Sequence, residues 1–153
     1  MKIILIIITI FTSQSLYSQG NTKPEIIKTL LKEVQEINHI YKSNIVDKNL
    51  KLQEYFTDIV YCDICEKKIG DLLNPKIENR TFIQNNLIEV INLLDVNKLK
   101  KGKYLYDTET KEYTLSYLTA APNKKTGFEG GSAIIYFEKF DGKFKICRIT
   151  TIP

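Results

Sequence analysis

The sequence predicts an α+β domain: N-terminal helices packed on an antiparallel sheet of about four to five strands. Three observations carry that prediction. Apolar residues recur at helical spacing from Ile27 to Tyr41, the period drops to two after Lys103, and Asp141–Gly142 separates two β-rich runs near the C-terminus.

The chain opens MKIILIIITIFTSQSLYSQG, where Lys2 supplies a positive start, Ile3 to Phe11 an apolar run, and a small polar stretch leads to a cut after Ser18. That is the form of a secretory signal peptide. The apolar run is far shorter than the about 20 residues a spanning helix needs, so no stable membrane insertion is expected after cleavage. Removing 18 of the 153 residues leaves 135, the size of one domain, so the division expected is 1–18 signal and 19–153 a single domain. The expected location is therefore secreted or periplasmic. Cleavage removes Lys2 and no acid, so the net charge falls from +4 to +3. Basic and acidic residues interleave except in KLKKGK, Lys98 to Lys103, which reads as a solvated connector because no second basic cluster or aromatic platform accompanies it. No nucleic-acid partner is expected.

Thr22 to Glu25, TKPE, has the form of a capping box, with proline in the first turn where its missing N–H costs nothing. The stripe Ile27, Leu30, Leu31, Val34, Ile37 and Tyr41 follows, with Lys28, Lys32, Glu33 and Glu36 outward. Leu50 to Phe56 reads as a short second helix and Asp58 to Cys62 as a strand. Gly70–Arg80 and Pro122–Gly131 read as loops from their Pro, Gly and Asn content. Thr81 to Gln84, TFIQ, repeats the capping-box pattern and opens a third helix that runs to about Asp95. KYLYDT is a short strand, and EYTLSYLTA alternates Tyr113, Leu115 and Tyr117 against Thr114 and Ser116, as a half-buried strand does.

SAIIYFEKF and KFKICRIT flank Asp141–Gly142, whose glycine supplies the positive φ of a type I′ turn. A two-residue turn pairs Phe140 with Lys143. Counting back in strict register sets Tyr136 opposite Cys147 and Ile135 opposite Arg148. Large apolar residues on both faces predict a central hairpin covered on both sides over part of its length, and a guanidinium beside Ile135 must find a partner or a cavity.

The order of helix, short helix, strand, helix and consecutive antiparallel strands resembles the nuclear transport factor 2-like superfamily, which includes ketosteroid isomerase and the polyketide cyclases. LQEYFTDIVYCD, Leu52 to Asp63, looks like that fold's passage from helix to first strand, and FEKFDGKFKICRI, Phe137 to Ile149, like its closing hairpin. The resemblance implies a cone-shaped fold: a curved sheet wrapped by helices, a pocket at the open end, and homodimerisation through the open sheet as an available assembly. Fold alone does not choose between catalysis and binding.

Cys62 and Cys65, in YCDICEKK, raise four readings. A redox pair belongs at a strand-to-helix junction in a βαβ pattern, which this chain lacks. A zinc site would have to recruit Cys147 and the lone His39 to one paired spacing, a weak signal in an oxidising compartment. Two disulfides remain, Cys62–Cys65 or a crossing bond to Cys147. The crossing bond closes roughly 80 residues, for which the chain-entropy model gives about 4 kcal/mol. Proximity favours the local pair, so the reading taken is a Cys62–Cys65 staple with Cys147 a buried thiol, the crossing bond staying open. No metal or cofactor is expected.

His39 near the end of the first helix gains from the dipole and lacks a neighbouring carboxylate or hydroxyl in sequence. Asp58 and Asp63 flank the first strand, where an acid–base enzyme would need a carboxyl raised by apolar walls. The ketosteroid isomerase pattern, a first-helix tyrosine with two inward acids, does not map onto these residues, so no catalytic residues are assigned. The ligand-binding candidates are Tyr61, Asp63, Tyr117, Tyr136 and Arg148. The expected function is an exported, non-catalytic domain binding a small molecule or a protein partner in the cell envelope. The alternatives are a cofactor-independent isomerase or dehydratase working in the cone, and an immunity-type or inhibitory protein.

Overall fold

The computed structural model of the protein describes residues 23–65, 76–123, 125–127 and 129–152. The signal peptide, the Thr22 cap and much of the Gly70–Arg80 stretch lie outside the described residues. Helix α1 (Lys23–Lys42) buries Leu30, Val34, Ile37 and Ile40, so the stripe closes on Ile40 with Tyr41 only half-buried. Helix α2 (Lys48–Gln53) ends earlier than its sequence pattern suggests because the chain is already extended at Phe56.

A winding helical segment follows two short strands, β1 (Phe56–Cys62) and β2 (Lys76–Glu78). It comprises α3 (Asn79–Thr81), a π-helical stretch (Phe82–Asn86), α4 (Leu87–Val90) and a 3-10 turn (Ile91–Leu93). Thr81 makes no capping bond. The segment is instead anchored by Asn79, whose amide donates to the carbonyls of Gln53 at 2.9 Å and Phe56 at 3.1 Å. Helix α5 (Val96–Lys101) then occupies the run read as a connector, and Asp95 caps it by accepting from the backbone N–H groups of Asn97 and Lys98.

The sheet has six strands rather than four to five, in the order β2-β1-β6-β5-β4-β3, with β3 (Lys103–Tyr106), β4 (Tyr113–Ala120), β5 (Gly131–Phe140) and β6 (Lys143–Ile152). The uncounted strand, β2, is a three-residue edge, too short to leave an alternating pattern. Neighbours are antiparallel except β1 and β6, which run parallel. The closing turn has φ 47° at Asp141 and φ 79° at Gly142, as a type I′ turn requires.

From Gly131 to Phe137 every other residue of β5 is buried: Ala133, Ile135 and Phe137 lie under the helices, together with Leu115, Tyr117, Phe144, Ile146 and Ile149 of the neighbouring strands. Leu30, Val34 and Ile37 of α1 join that core, as do Phe56 and Phe82, whose ring centroids are 5.2 Å apart. The opposite face of the hairpin is only half-buried at Ile134, Tyr136 and Arg148, so helices cover it on one side, not both.

The strict hairpin register holds from Phe140↔Lys143 to Phe137↔Ile146 and then breaks. A bulge at Cys147 sets Tyr136 opposite Arg148 and Ile135 opposite Ile149. The cause is visible in the side chains. Ile146 and Ile149 are both fully buried but stand three residues apart, and period two can place both in the core only if one extra residue is inserted between them. The same insertion moves Arg148 off the core and onto the open face.

Candidate functional site

On the open face, Tyr61 of β1, Arg148 of β6 and Tyr136 of β5 form one row, since Arg148 is the register partner of both tyrosines. The guanidinium carbon lies 5.5 Å from the Tyr61 ring centroid and 4.7 Å from that of Tyr136, so the cation is flanked by two aromatic rings. Its Nη2 donates to Glu112 Oε1 at 3.2 Å, and Glu112, just before β4, is the buried carboxylate of the described residues, 7% exposed. The Cys147 thiol donates to the same oxygen at 3.7 Å.

Burial, then the charges of Glu138 and Glu112, push the Cys147 thiol far up, with Arg148 opposing. That shift favours the protonated thiol, the form that donates to Glu112. Glu112, Glu138 and Cys147 bring three ligand-type atoms within 4.8 Å of one another. A cation there would have to displace the Arg148 guanidinium from Glu112 and ionise that thiol.

Three of the five ligand-binding candidates therefore meet. Asp63 does not join them: its Oδ2 accepts from the Thr151 N–H at 2.9 Å and fastens the end of β1 to β6. Tyr117 faces the helices, donates its hydroxyl to the Leu93 carbonyl at 3.1 Å, and has its phenol pKa raised by burial and then by Asp95. Asp58 is exposed, and His39 lies exposed in the last turn of α1. The carboxyl that burial raises is instead Glu33, half-buried with Tyr55 and Lys143 in a shallow cleft of about 290 Å³. Cys62 and Cys65 form the local disulfide, with Cα atoms 5.2 Å apart, and Cys147 is a buried free thiol.

A second feature was not read from the sequence. A groove of about 510 Å³ opens where β4 outruns β3. The β3–β4 ladder ends at Lys103↔Ser116, so the far half of β4 is uncovered on that edge. Ser116, Leu118, Ser132, Ile134 and Ile152 floor the groove on the open side of the sheet, and Lys98, Lys101 and Lys103 stand at its rim. Gly102 makes this arrangement feasible, because any Cβ there would collide with the Ser116 carbonyl. The end of α5 can therefore lie directly on β4. A glycine inside KLKKGK was the available signal, but its contact partner is 14 residues away in sequence.

No protein-family model matches this sequence, and no curated protein matches it either. Two solved structures are similar to it at the level of fold. One is a designed nuclear transport factor 2 protein, 16% identical, covering 84% of this chain and 95% of its own, with a TM-score of 0.37. The other is a putative calcium/calmodulin-dependent protein kinase II association domain from Xanthomonas campestris, 12% identical, covering 82% of this chain and 81% of its own, also with a TM-score of 0.37. The element order and the strand order, with β1 parallel to β6, make this an α+β domain with helices on one face of a six-stranded sheet.

Proposed function

We propose that the mature chain is an exported, non-catalytic binding domain of the cell envelope that takes a small molecule on the open face of its sheet. One observation carries the reading: the interior under the helices is filled by side chains such as Leu30, Phe56, Phe137 and Ile149, whereas the groove over Leu118 and Ile134 offers about 510 Å³. That volume lies in the range of small-ligand sites, about 300–1,000 Å³. The Tyr61–Arg148–Tyr136 row stiffens the same face, and its cation is already committed to Glu112.

The test is native mass spectrometry of the mature protein recovered from its export compartment, beside the Leu118→Arg variant. Leu118 is 64% exposed, so the substitution leaves the core intact. A small molecule retained by the wild type and lost from the variant is expected. No retained molecule, or equal retention by both, refutes the assignment.

A protein partner on this face is the second reading, favoured by a specific pattern. Ile59, Leu105, Leu118 and Ile152, each between 46% and 64% exposed, all lie on the open side across four strands. The same spectrum separates the two, since a stoichiometric protein adduct would replace the small one.

A further inference from the structure

The groove's two ends differ in chemistry, and we propose that its ligand is a single-chain amphiphile: an apolar tail lying on Leu118, Ile134 and Ile152, with an anionic head held among Lys98, Lys101 and Lys103. This rests on the small-molecule reading above and adds the ligand class. The three lysines come from the last turns of α5 and the first residue of β3, and they reach one rim because Gly102 lets the helix end against β4. Lys98 lies over the Tyr117 ring, 5.6 Å from its centroid and so toward the helix side of β4, while Lys103, opposite Ser116, stands on the open face with the groove floor.

The floor matches the tail. Leu118 and Ile152 are more than half exposed, so a chain laid over them removes apolar surface that folding leaves in water. Ser116 and Ser132 add hydroxyl donors, which favour an oxygen-bearing head over a bare hydrocarbon. A carboxylate and a phosphate share the chemistry that three ammonium groups recognise, and a lysine rim accepts either as a point charge. Long lysine stems can line the tail while their heads stay in water with the anion.

The experiment is isothermal titration of the mature protein with decanoate, decyl phosphate and decanol at low and near-physiological ionic strength. The anionic probes should bind about tenfold more tightly than decanol, and the preference should shrink with salt. Each methylene added to the tail should tighten binding by up to about fourfold. Lys101→Gln with Lys103→Gln should cut the anionic preference several-fold more than it weakens decanol, whereas Leu118→Arg should weaken decanol. A lead for decanoate over decyl phosphate, or the reverse, supports the proposal and identifies the head group. Equal binding of decanol and decanoate overturns the head-group assignment while the groove remains a ligand site. If no amphiphile binds, but a different molecule is retained from the export compartment in a Leu118-dependent way, this inference falls and the small-molecule reading stands. If nothing is bound or retained, both fall.

Discussion

Replacing Arg148 with methionine should cost about 2.5–3.5 kcal/mol of folding stability, most of it through one pair. The methionine keeps much of the arginine stem's contact area, so the loss isolates the guanidinium. Its hydrogen bond to Glu112 is charge-assisted, a type worth about 1.5–3 kcal/mol net. Its two ring contacts, at 5.5 Å and 4.7 Å, add about 0.5–1 kcal/mol each. The Arg148 side chain is 37% exposed while that of Glu112 is 10% exposed, so water screens the arginine and the lower part of the summed range applies. Truncation also leaves a buried carboxylate without its cation, a cost that breaking from the glutamate side does not incur. Glu112→Gln alone should therefore cost less, about 1 kcal/mol. The double variant should be less unstable than the sum of the two by about 1–2 kcal/mol, measured as a cycle of urea melts. Additivity within about 0.5 kcal/mol would refute an energetic coupling between Arg148 and Glu112.

Three further outcomes are expected. Glu33 is held above its ordinary value of 4.5, by burial first, with Lys32 and Lys143 opposing and Glu36 adding. The folded state thus holds that proton more tightly than the unfolded chain, and the stability Glu33 contributes below about pH 4.5 is lost as pH rises through its raised folded value. Glu33→Gln should then gain on the wild type between about pH 4 and pH 7 in paired melts, and a constant or shrinking difference would contradict the burial. Replacing Cys62 and Cys65 together by alanine should cost about 2 kcal/mol, the chain-entropy value for a four-residue loop, and make the melting temperature insensitive to reductant. A wild type equally insensitive would mean that the bond is not formed. Gly142→Ala should lower stability by about 1–2 kcal/mol through backbone strain alone, because φ is 79° and no atom lies within 4 Å of the added Cβ. Chemical denaturation reads that directly, and no change would show that the turn relaxes.

Local signals made most of the scaffold legible. The stripe on α1 and the Asp141–Gly142 turn depend on residues within a few positions of one another, so their placement follows from spacing. The local disulfide was legible for the same reason, two cysteines three apart being in reach whatever the fold. The site was partly legible. Tyr61, Tyr136 and Arg148 were named as ligand-binding candidates on predicted strands, Arg148 because a guanidinium there needs a partner, and the structure places the three in one row. Glu112 was missed because its partners stand more than 30 positions away.

What the chain determined by itself was the first helix, the strands from β3 to β6 and the register at the turn, since these follow from periodicity and φ preference over short distances, whereas β2 and α5 left no such pattern. Tertiary structure decided the rest. The demand that Ile146 and Ile149 share one core forced the bulge at Cys147, and the bulge turned Arg148 from the buried side to the open one. The absence of a side chain at Gly102 mattered only because Ser116 packs against it, and that contact converted a run of lysines from a connector into the rim of a groove. Both are consequences of close packing between distant segments, which alternation and composition do not encode.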